Sequence, residues 1–590
     1  MTRRLLVGFN DLFDSPTPAT KAQLLSGVSR FWLLRCITQL LGYQNQVPAA
    51  ERTLKMDMER IFGEQGLREK PFAQRAYAHI VSFGQQYGKG ALNVLHPKPL
   101  LQLFEFAFER PDEPHTVNDE ELEASLFLAC LLANTPYIDQ QSAASTAAEQ
   151  LLPTPTVPRF ALTSMFSDFE LINQQPVQVL RAQLIKSARF FEFLESNGRF
   201  TPLLQAFLAH YGCTTWQEYT RQLAGLVKPV IYANKPGRIS VVVAPGAEFE
   251  ASREFLNHFA LQPGQELDKE DFTSLRETPL YEEEPGDFVL IYPVLVVEML
   301  HKGLYFQFNL LNKLLPEAEQ ASDWRSVYCD FFSEQYLLYG LLDAAFQGRG
   351  LTLSGTVIKE SKTLKGQGEP DYYFRQGQRA ILFESKDVLV PKNAKAGTDF
   401  TAYFEEVRKR FDYEINKKGK HVDKAARQLL RNVARLLEKE FPLDRDYDPA
   451  ELIIYPVLVL YDRLYNVPGL NVLVNGWFQE QLALRAEKGL PVHNVRPLVM
   501  VDVDTVLAFH EHFRSQQLVF EDVLEKYYSY LHPDLSVAKD DAEAEKLIMQ
   551  QAHPFALFLE NYASERGMAL LPMQSLYGLL PIINKGAPEE

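Results

Sequence analysis

Two short β-type runs, Asp371 to Arg375 and Ala380 to Ser385, flank a Gln-Gly pair at 376–377, the signature of a short hairpin. Pairing the runs about that turn sets Asp371 opposite the region of Leu382 to Glu384, to within about two residues. Side chains alternate along a strand, so Glu384 and Lys386 project to one face while Phe383 and Ser385 project to the other. Ahead of the hairpin, Trp324 to Phe346 has the apolar spacing of a long amphipathic helix, and Gln347-Gly-Arg-Gly350 ends it. A strand at Leu351 to Ile358 follows. Beyond the hairpin lie a charged helical region from Phe400 to Phe441 and strand runs at Leu452 to Tyr461 and Pro497 to Val503. Strand, helix and strand in this order predict an α/β unit over residues 323–510, a central mixed sheet sandwiched by helices.

A chain of 590 residues is too long for one core. Residues 1–139 read as a helical domain, with apolar residues three and four apart in Thr20 to Leu41, Leu100 to Glu109 and Asp119 to Ala133. The Ser/Thr/Ala/Pro-rich stretch from Gln140 to Pro158 reads as a linker. Residues 159–322 look mixed α/β, with helices around Val177 to Glu195 and Phe200 to Ala224 and β-type runs at Arg238 to Val243 and Phe288 to Val297. The C-terminal region, 511–590, reads as helical with a polar stub. The expected architecture is therefore multidomain.

Hydrophobic residues at 46%, charged residues at 23% and a mean hydropathy of -0.19 are those of a soluble globular chain. Apolar stretches such as Phe288 to Leu300 are interrupted before the roughly 18–20 residues a membrane span needs, so no membrane partner is expected. Met1-Thr-Arg-Arg begins like a signal peptide, but Asp11 cuts its apolar run short, which argues against secretion. The four cysteines, Cys36, Cys130, Cys213 and Cys329, form no CxxC pair, which speaks against a zinc site or a disulfide framework and for a cytoplasmic setting.

Paired carboxylates beside a lysine suit one chemistry well. Phosphodiester hydrolysis needs a divalent cation to neutralise phosphate charge, and hard carboxylate oxygens suit Mg²⁺ or Mn²⁺. A lysine next to them can orient or deprotonate water and stabilise developing charge. Pro370-Asp371, then Glu384-Ser385-Lys386 after a gap of twelve residues, resembles the PD-(D/E)XK nuclease superfamily, the restriction-endonuclease-like fold. The likeness covers about a third of the chain. It implies that Asp371 and Glu384 bind metal and that Lys386 is the catalytic lysine. It also implies a further acidic ligand on the preceding helix, here Glu334, and a Gln on the helix after the lysine strand, here Gln428. Ser385 departs from the apolar residue usual at its position.

The net charge of -16 opposes a nucleic-acid partner, yet from Lys386 to Arg435 thirteen Lys and Arg face seven acids. Arg408, Lys409, Arg410, Lys417, Lys418, Lys420, Lys424 and Arg427 are therefore candidate phosphate contacts, with Tyr403, Phe404 and Tyr413 near them to pack on sugar or base. In Phe509-His-Glu-His-Phe513 the histidines do not share a helix face, and Gln347 to Gly355 lacks the Walker Lys-Ser/Thr, so neither carries chemistry. The expectation is a Mg²⁺-dependent DNA endonuclease of a microbial defence system, its N-terminal half sensing, targeting or binding a partner, with self-association in keeping with the superfamily. Two alternatives stand beside it: an RNase of the same chemistry, and a nucleic-acid-binding or assembly component with a weak or inactive nuclease fold.

Overall fold

The computed structural model describes residues 4–568 apart from 14–19, 49–50, 87–90, 153–154, 173–175, 234–235, 269–270, 362–367, 389–390, 392–393 and 395–398. Met1 to Arg3, Pro153-Thr154 of the expected linker and the polar C-terminal stub fall outside the described residues. The protein is mixed α/β and divides into two compact units. One comprises residues up to Ser142 with Glu170–Gln320; the other comprises Ala143–Phe169 with the described chain from Ala321 onward.

The first unit is built on helices. Arg30–Gln46 buries Leu33, Leu34, Ile37, Leu40 and Leu41 along one stripe, and the Ser29 side chain accepts a hydrogen bond from the Trp32 amide at its start. The single helix expected from Thr20 to Leu41 is interrupted, because Gly27 takes a φ of +76° that a helix does not allow. A four-stranded sheet runs in the order Ser240–Val242, Asp287–Leu290, Leu280–Glu284, Ala260–Leu261. The β-type run expected to reach Val297 stops at Leu290, and Pro293 opens a helix, Pro293–Glu298, as proline does at a first helical turn.

The linker expected over 140–158 is a correction. The helix Asp119–Leu151 continues through most of it, and Ala144, Ala148 and Leu152 are buried in a core with Phe166 and Phe169. Alanines four apart make a helical stripe that the composition of the segment conceals. Of the separate domains expected at 1–139 and 159–322, the first and the stretch Glu170–Gln320 of the second form one unit, while 159–169 belong to the other.

In the second unit a helical run begins at Trp324, passes through π-helical Val327–Leu338 and ends as α1 (Tyr339–Phe346). Strand β1 (Leu351–Ser354) is shorter than expected, because the Ser354 side chain caps helix α2 (Gly355–Glu360) through the Val357 amide. Strands β2 (Tyr372–Gln376) and β3 (Arg379–Lys386) form the expected hairpin around Gly377-Gln378, where Gly377 supplies a φ of +59°. The charged region is not one helix. It is α3 (Phe400–Phe411), a small hairpin of β4 (Tyr413–Ile415) and β5 (His421–Asp423), then α4 (Ala425–Leu437). Next come β6 (Ile453–Leu460), α5 (Leu470–Ala486), β7 (Val499–Asp502), α6 (Val503–Arg514) and α7 (Phe520–Leu531).

The five-stranded sheet has the order β7-β6-β3-β2-β1. Strands β1, β2 and β3 are an antiparallel meander, while β6 runs parallel to β3 and β7 parallel to β6. Helices cover both faces. Ala380 and Leu382 of β3 pack with Phe404 of α3, Leu429 and Val433 of α4 and Phe478 of α5. On the other face Phe383 meets Phe346 and Phe520 at ring distances of 5.9 and 6.1 Å. Each such side chain contributes about 1.5–3 kcal/mol through burial. Phe520 in turn meets Phe555, so the described residues beyond 511 belong to this unit instead of standing apart.

Arg349, at the glycine break after α1, is buried against α7. Its Nη2 lies 3.1 Å from Glu521 Oε2, with side chains 3% and 1% exposed. The guanidinium also lies over the rings of Phe346 and Phe374.

Candidate active site

The hairpin register brings the two predicted carboxylates together. Tyr372 pairs with Phe383, and the Asp371 amide donates to the Phe383 carbonyl at 3.1 Å, so Asp371 stands opposite Glu384. Asp371 Oδ2 accepts from the Ser385 amide at 2.7 Å, and Lys386 Nζ lies 2.6 Å from Glu384 Oε1. The Glu384 side chain is only 5% exposed, and its Oε2 has no hydrogen-bond partner. An unpaired buried carboxylate oxygen is costly.

Glu334 approaches the pair from the π-helical segment, held by a 2.6 Å hydrogen bond from the Tyr339 hydroxyl. A π turn is a frequent device for presenting a functional side chain. Tyr339 fits because residue 355 is glycine: a Cβ there would stand 2.5 Å from the Tyr339 hydroxyl and 2.9 Å from the Asp371 carbonyl oxygen. The Gly355 amide also donates to that carbonyl at 2.6 Å, pinning the backbone of Asp371.

Charge in this pocket is out of balance. Burial, then the charge of Asp371, pushes the Glu384 carboxyl up to about 8, with Lys386 opposing. Burial and Asp371 likewise raise Glu334 to about 7, against the Tyr339 hydrogen bond and the charge of Lys359. Asp371 itself is raised by burial while Lys386, the Ser385 amide and Lys359 pull it down. Burial draws the Lys386 amine down, but Glu384 and Asp371 more than reverse this and hold it above its ordinary value. Three carboxylates thus share the field of two lysines.

Gln428 lies on α4, which packs against β3, and its side-chain oxygen is buried without a partner. Among the described residues no group of three or more His, Cys, Asp or Glu is gathered as a metal cluster.

The expected phosphate track needs correction. Arg408 and Arg427 approach Asp412 at 3.9 and 2.6 Å, Arg410 pairs with Glu406, Lys409 with Glu406 and Glu414, and Lys424 with Glu414. These acids recur three or four residues from the cations on α3 or lie beside them on β4, so the local charge excess is largely spent within the fold. Lys417, Lys418 and Lys420, at the turn of the β4–β5 hairpin, are exposed and have no carboxylate partner among the described residues. Tyr403 and Phe404, expected near nucleic acid, are buried in the core. Tyr413 is held between Arg408 and Arg427, each 4.7 Å from its ring centre, and stacks on His421.

Tyr339, Gly355 and Lys359 escaped the sequence reading. Tyr339 lies five residues after Glu334, a spacing that matches neither an α-helical nor a strand neighbour. Gly355→Ala is expected to displace Asp371 or Tyr339 and to lower the melting temperature, since the added Cβ meets both. A companion Tyr339→Phe change, which removes the colliding hydroxyl, should recover only part of that stability, because the Asp371 carbonyl still meets the added Cβ.

No protein-family model matches the chain, and neither the curated proteins nor the solved structures contain a match. No helix among the described residues is long and apolar enough to cross a membrane.

Proposed function

We propose that the second unit is a divalent-metal-dependent nuclease of restriction-endonuclease-like fold acting on DNA. The observation that carries this reading is the juxtaposition of Asp371, Glu384 and Lys386 on one face of the β2–β3 hairpin. The topology supports it: an antiparallel β1-β2-β3 meander preceded by α1, followed through α4 by a strand parallel to β3. A cation fits the residues present, because Glu384 Oε2 is buried and unpartnered and both carboxyls are raised by burial, Glu384 also by the charge of Asp371. Asp371 and Glu384 would hold it, with Glu334 near them. When bound, Mg²⁺ or Mn²⁺ neutralises phosphate charge and makes hydroxide accessible near neutral pH.

The chain's own groups do the rest. Lys386, held above its ordinary value by its acids, is placed to donate to charge developing on phosphate oxygen. The Tyr339 hydroxyl fixes the Glu334 carboxylate, and the Ser385 amide fixes Asp371. Gln428 offers an unpaired amide oxygen from α4 to orient water.

The test is cleavage of plasmid DNA, single-stranded DNA and RNA by the full chain with Mg²⁺, Mn²⁺ or EDTA, beside a Lys386→Ala variant. Cutting that needs metal and falls about 10²–10³-fold in the variant is expected. Absence of cutting with every metal and polymer would sink the reading, and preferential cutting of RNA would replace DNA as the substrate.

Acidic protons must leave before a cation binds. Divalent-ion affinity is therefore expected to climb as pH rises through about 7 and about 8, where Glu334 and Glu384 ionise in the metal-free protein. Titration calorimetry with Mn²⁺ at about pH 6 and about pH 9 checks this, and equal affinities would contradict the coupling.

A further inference from the structure

Two cations that the sequence reading passed over lie against the segment leading into Asp371. Lys359, on α2, is half exposed, and its Nζ is 4.0 Å from Glu369 Oε1. Its charge reaches both Glu334 and Asp371. Arg431, on α4, crosses the backbone of Gly368: a Cβ at that glycine would stand 2.8 Å from Arg431 Nη1, and Gly368 takes a φ of +73°. Arg435, one turn further along α4, donates to the Gly368 carbonyl at 2.6 Å and locks the segment to the helix. Gly368 and Glu369 are three and two residues ahead of Asp371, so Lys359 and Arg431 flank the approach to the carboxylates.

Arg431 also connects in the opposite direction. Its Nη2 is 2.7 Å from Asp423, the last residue of β5, whose hairpin turn carries Lys417, Lys418 and Lys420. Arg431 is thus tied through Asp423 to the open end of the hairpin whose turn carries these lysines, and it crosses the Gly368 backbone one residue before Glu369, which Lys359 approaches. The acids along this route are Glu414, Asp423, Glu369 and Glu360. Asp423 is itself 39% exposed and Lys359 reaches Glu369 only at 4.0 Å, and ion pairs in contact with water hold their partners weakly. A phosphate can displace such a carboxylate because it offers more oxygens and more charge to a guanidinium.

We propose that Lys359 and Arg431 bind phosphates adjacent to the scissile one, so that the substrate is a polynucleotide strand extending toward the β4–β5 hairpin and not a small phosphodiester. The proposal rests on the nuclease reading for the position of the scissile phosphate. The spacing of positive groups on one side of the site assigns the strand a direction of approach that the carboxylates alone do not define. Phosphate contacts of this kind fix register without reading bases, so binding is indifferent to sequence and falls with salt.

The experiment compares wild-type full chain, a Lys359→Ala/Arg431→Ala double variant and a Lys359→Arg/Arg431→Lys double variant. Binding of a fluorescent strand of about twenty nucleotides is followed by anisotropy in EDTA across a salt series, with the slope of log affinity against log salt as readout. The alanine pair is expected to bind about tenfold more weakly and to flatten that slope by about 1.5, the change that losing two phosphate contacts brings. The charge-conserving pair should restore most of both. In a second arm, Mn²⁺-dependent hydrolysis of bis(p-nitrophenyl) phosphate is set beside cleavage of the same strand. The ratio of kcat/KM for strand over ester should fall about tenfold in the alanine pair, the loss lying in KM. Unchanged affinity and slope, or an unchanged ratio, would overturn the proposal, as would a wild type that does not bind the strand. A wild type that binds the strand but hydrolyses neither substrate would instead remove the nuclease reading, while the binding arm still decides whether Lys359 and Arg431 hold phosphate.

Discussion

Glu384→Gln is expected to abolish the proposed metal-dependent cleavage and, in EDTA near about pH 9, to raise the melting temperature. The first effect follows from losing a charge of the proposed ligand set, and a fall of about 10³-fold is expected, more than the roughly 10–100-fold that losing an outer hydrogen-bond partner of a metal ligand costs. The second follows from proton linkage. Glu384 has its carboxyl at about 8 in the folded protein, against about 4.3 in an unfolded chain. Between those values the folded state binds the extra proton, so stability falls as pH rises, and the whole penalty is present above about 8. Glutamine keeps an oxygen for Lys386 and carries no charge, so the metal-free variant should gain stability near about pH 9 and nothing near about pH 4. Differential scanning calorimetry in EDTA at both pH values decides it. A variant that is less stable than wild type at high pH would mean that the charge imbalance described for the pocket is not present. Wild type should also gain more from added Mn²⁺ than the variant, since a ligand stabilises only the state that binds it.

Glu521→Ala is expected to cost about 3–5 kcal/mol of stability, because it strands the buried guanidinium of Arg349. Arg349 Nε and Nη1 have no other partner, and the ring faces of Phe346 and Phe374 offset only part of the charge. A pair that is replaced whole behaves differently from a pair that is broken. Arg349→Met combined with Glu521→Leu should therefore restore most of the loss, and urea denaturation of the three variants reads the difference. An additive result, with the double variant worse than either single, would show that the pair's surroundings reject apolar groups. The consequence for the site is direct. Arg349 also meets Gln376 at the end of β2, so the pair ties α7 to the hairpin that carries Asp371 and Glu384.

Much of the candidate site was legible because its geometry is local. Asp371 and Glu384 are joined by a turn of two residues, Gly377-Gln378, and strand alternation does the rest. The helix ahead, the helix after and strands β6 and β7 were visible from apolar spacing for the same reason. Tyr339 and Gly355 were not legible, since their meeting depends on how α1 lies across the start of α2, a contact no periodicity encodes. The linker expectation failed because Ala144 and Ala148 are small, and a stripe of alanines carries little hydropathy signal even when it is buried. Pairing of charges was the other blind spot. A count of Lys and Arg over 386–435 shows an excess, but not that Asp412 takes up Arg427 and that Glu414 takes up Lys424, which requires knowing that a small hairpin interrupts the helices.

The two-residue turn at Gly377-Gln378 also acts as a gauge of length. Strand partners face alternate sides with a period of two, so a single inserted residue that slips the register of β3 would carry Glu384 and Lys386 through the sheet, to the face where Phe383 now meets Phe520. A deletion would do the same in reverse. Point changes in the turn shift a backbone angle, but a change in its length moves Glu384 and Lys386 to the opposite face of the sheet in one step. Among sequences that drift away from this one, the spacing between Asp371 and Glu384 should thus outlast the identity of almost every residue lying between them.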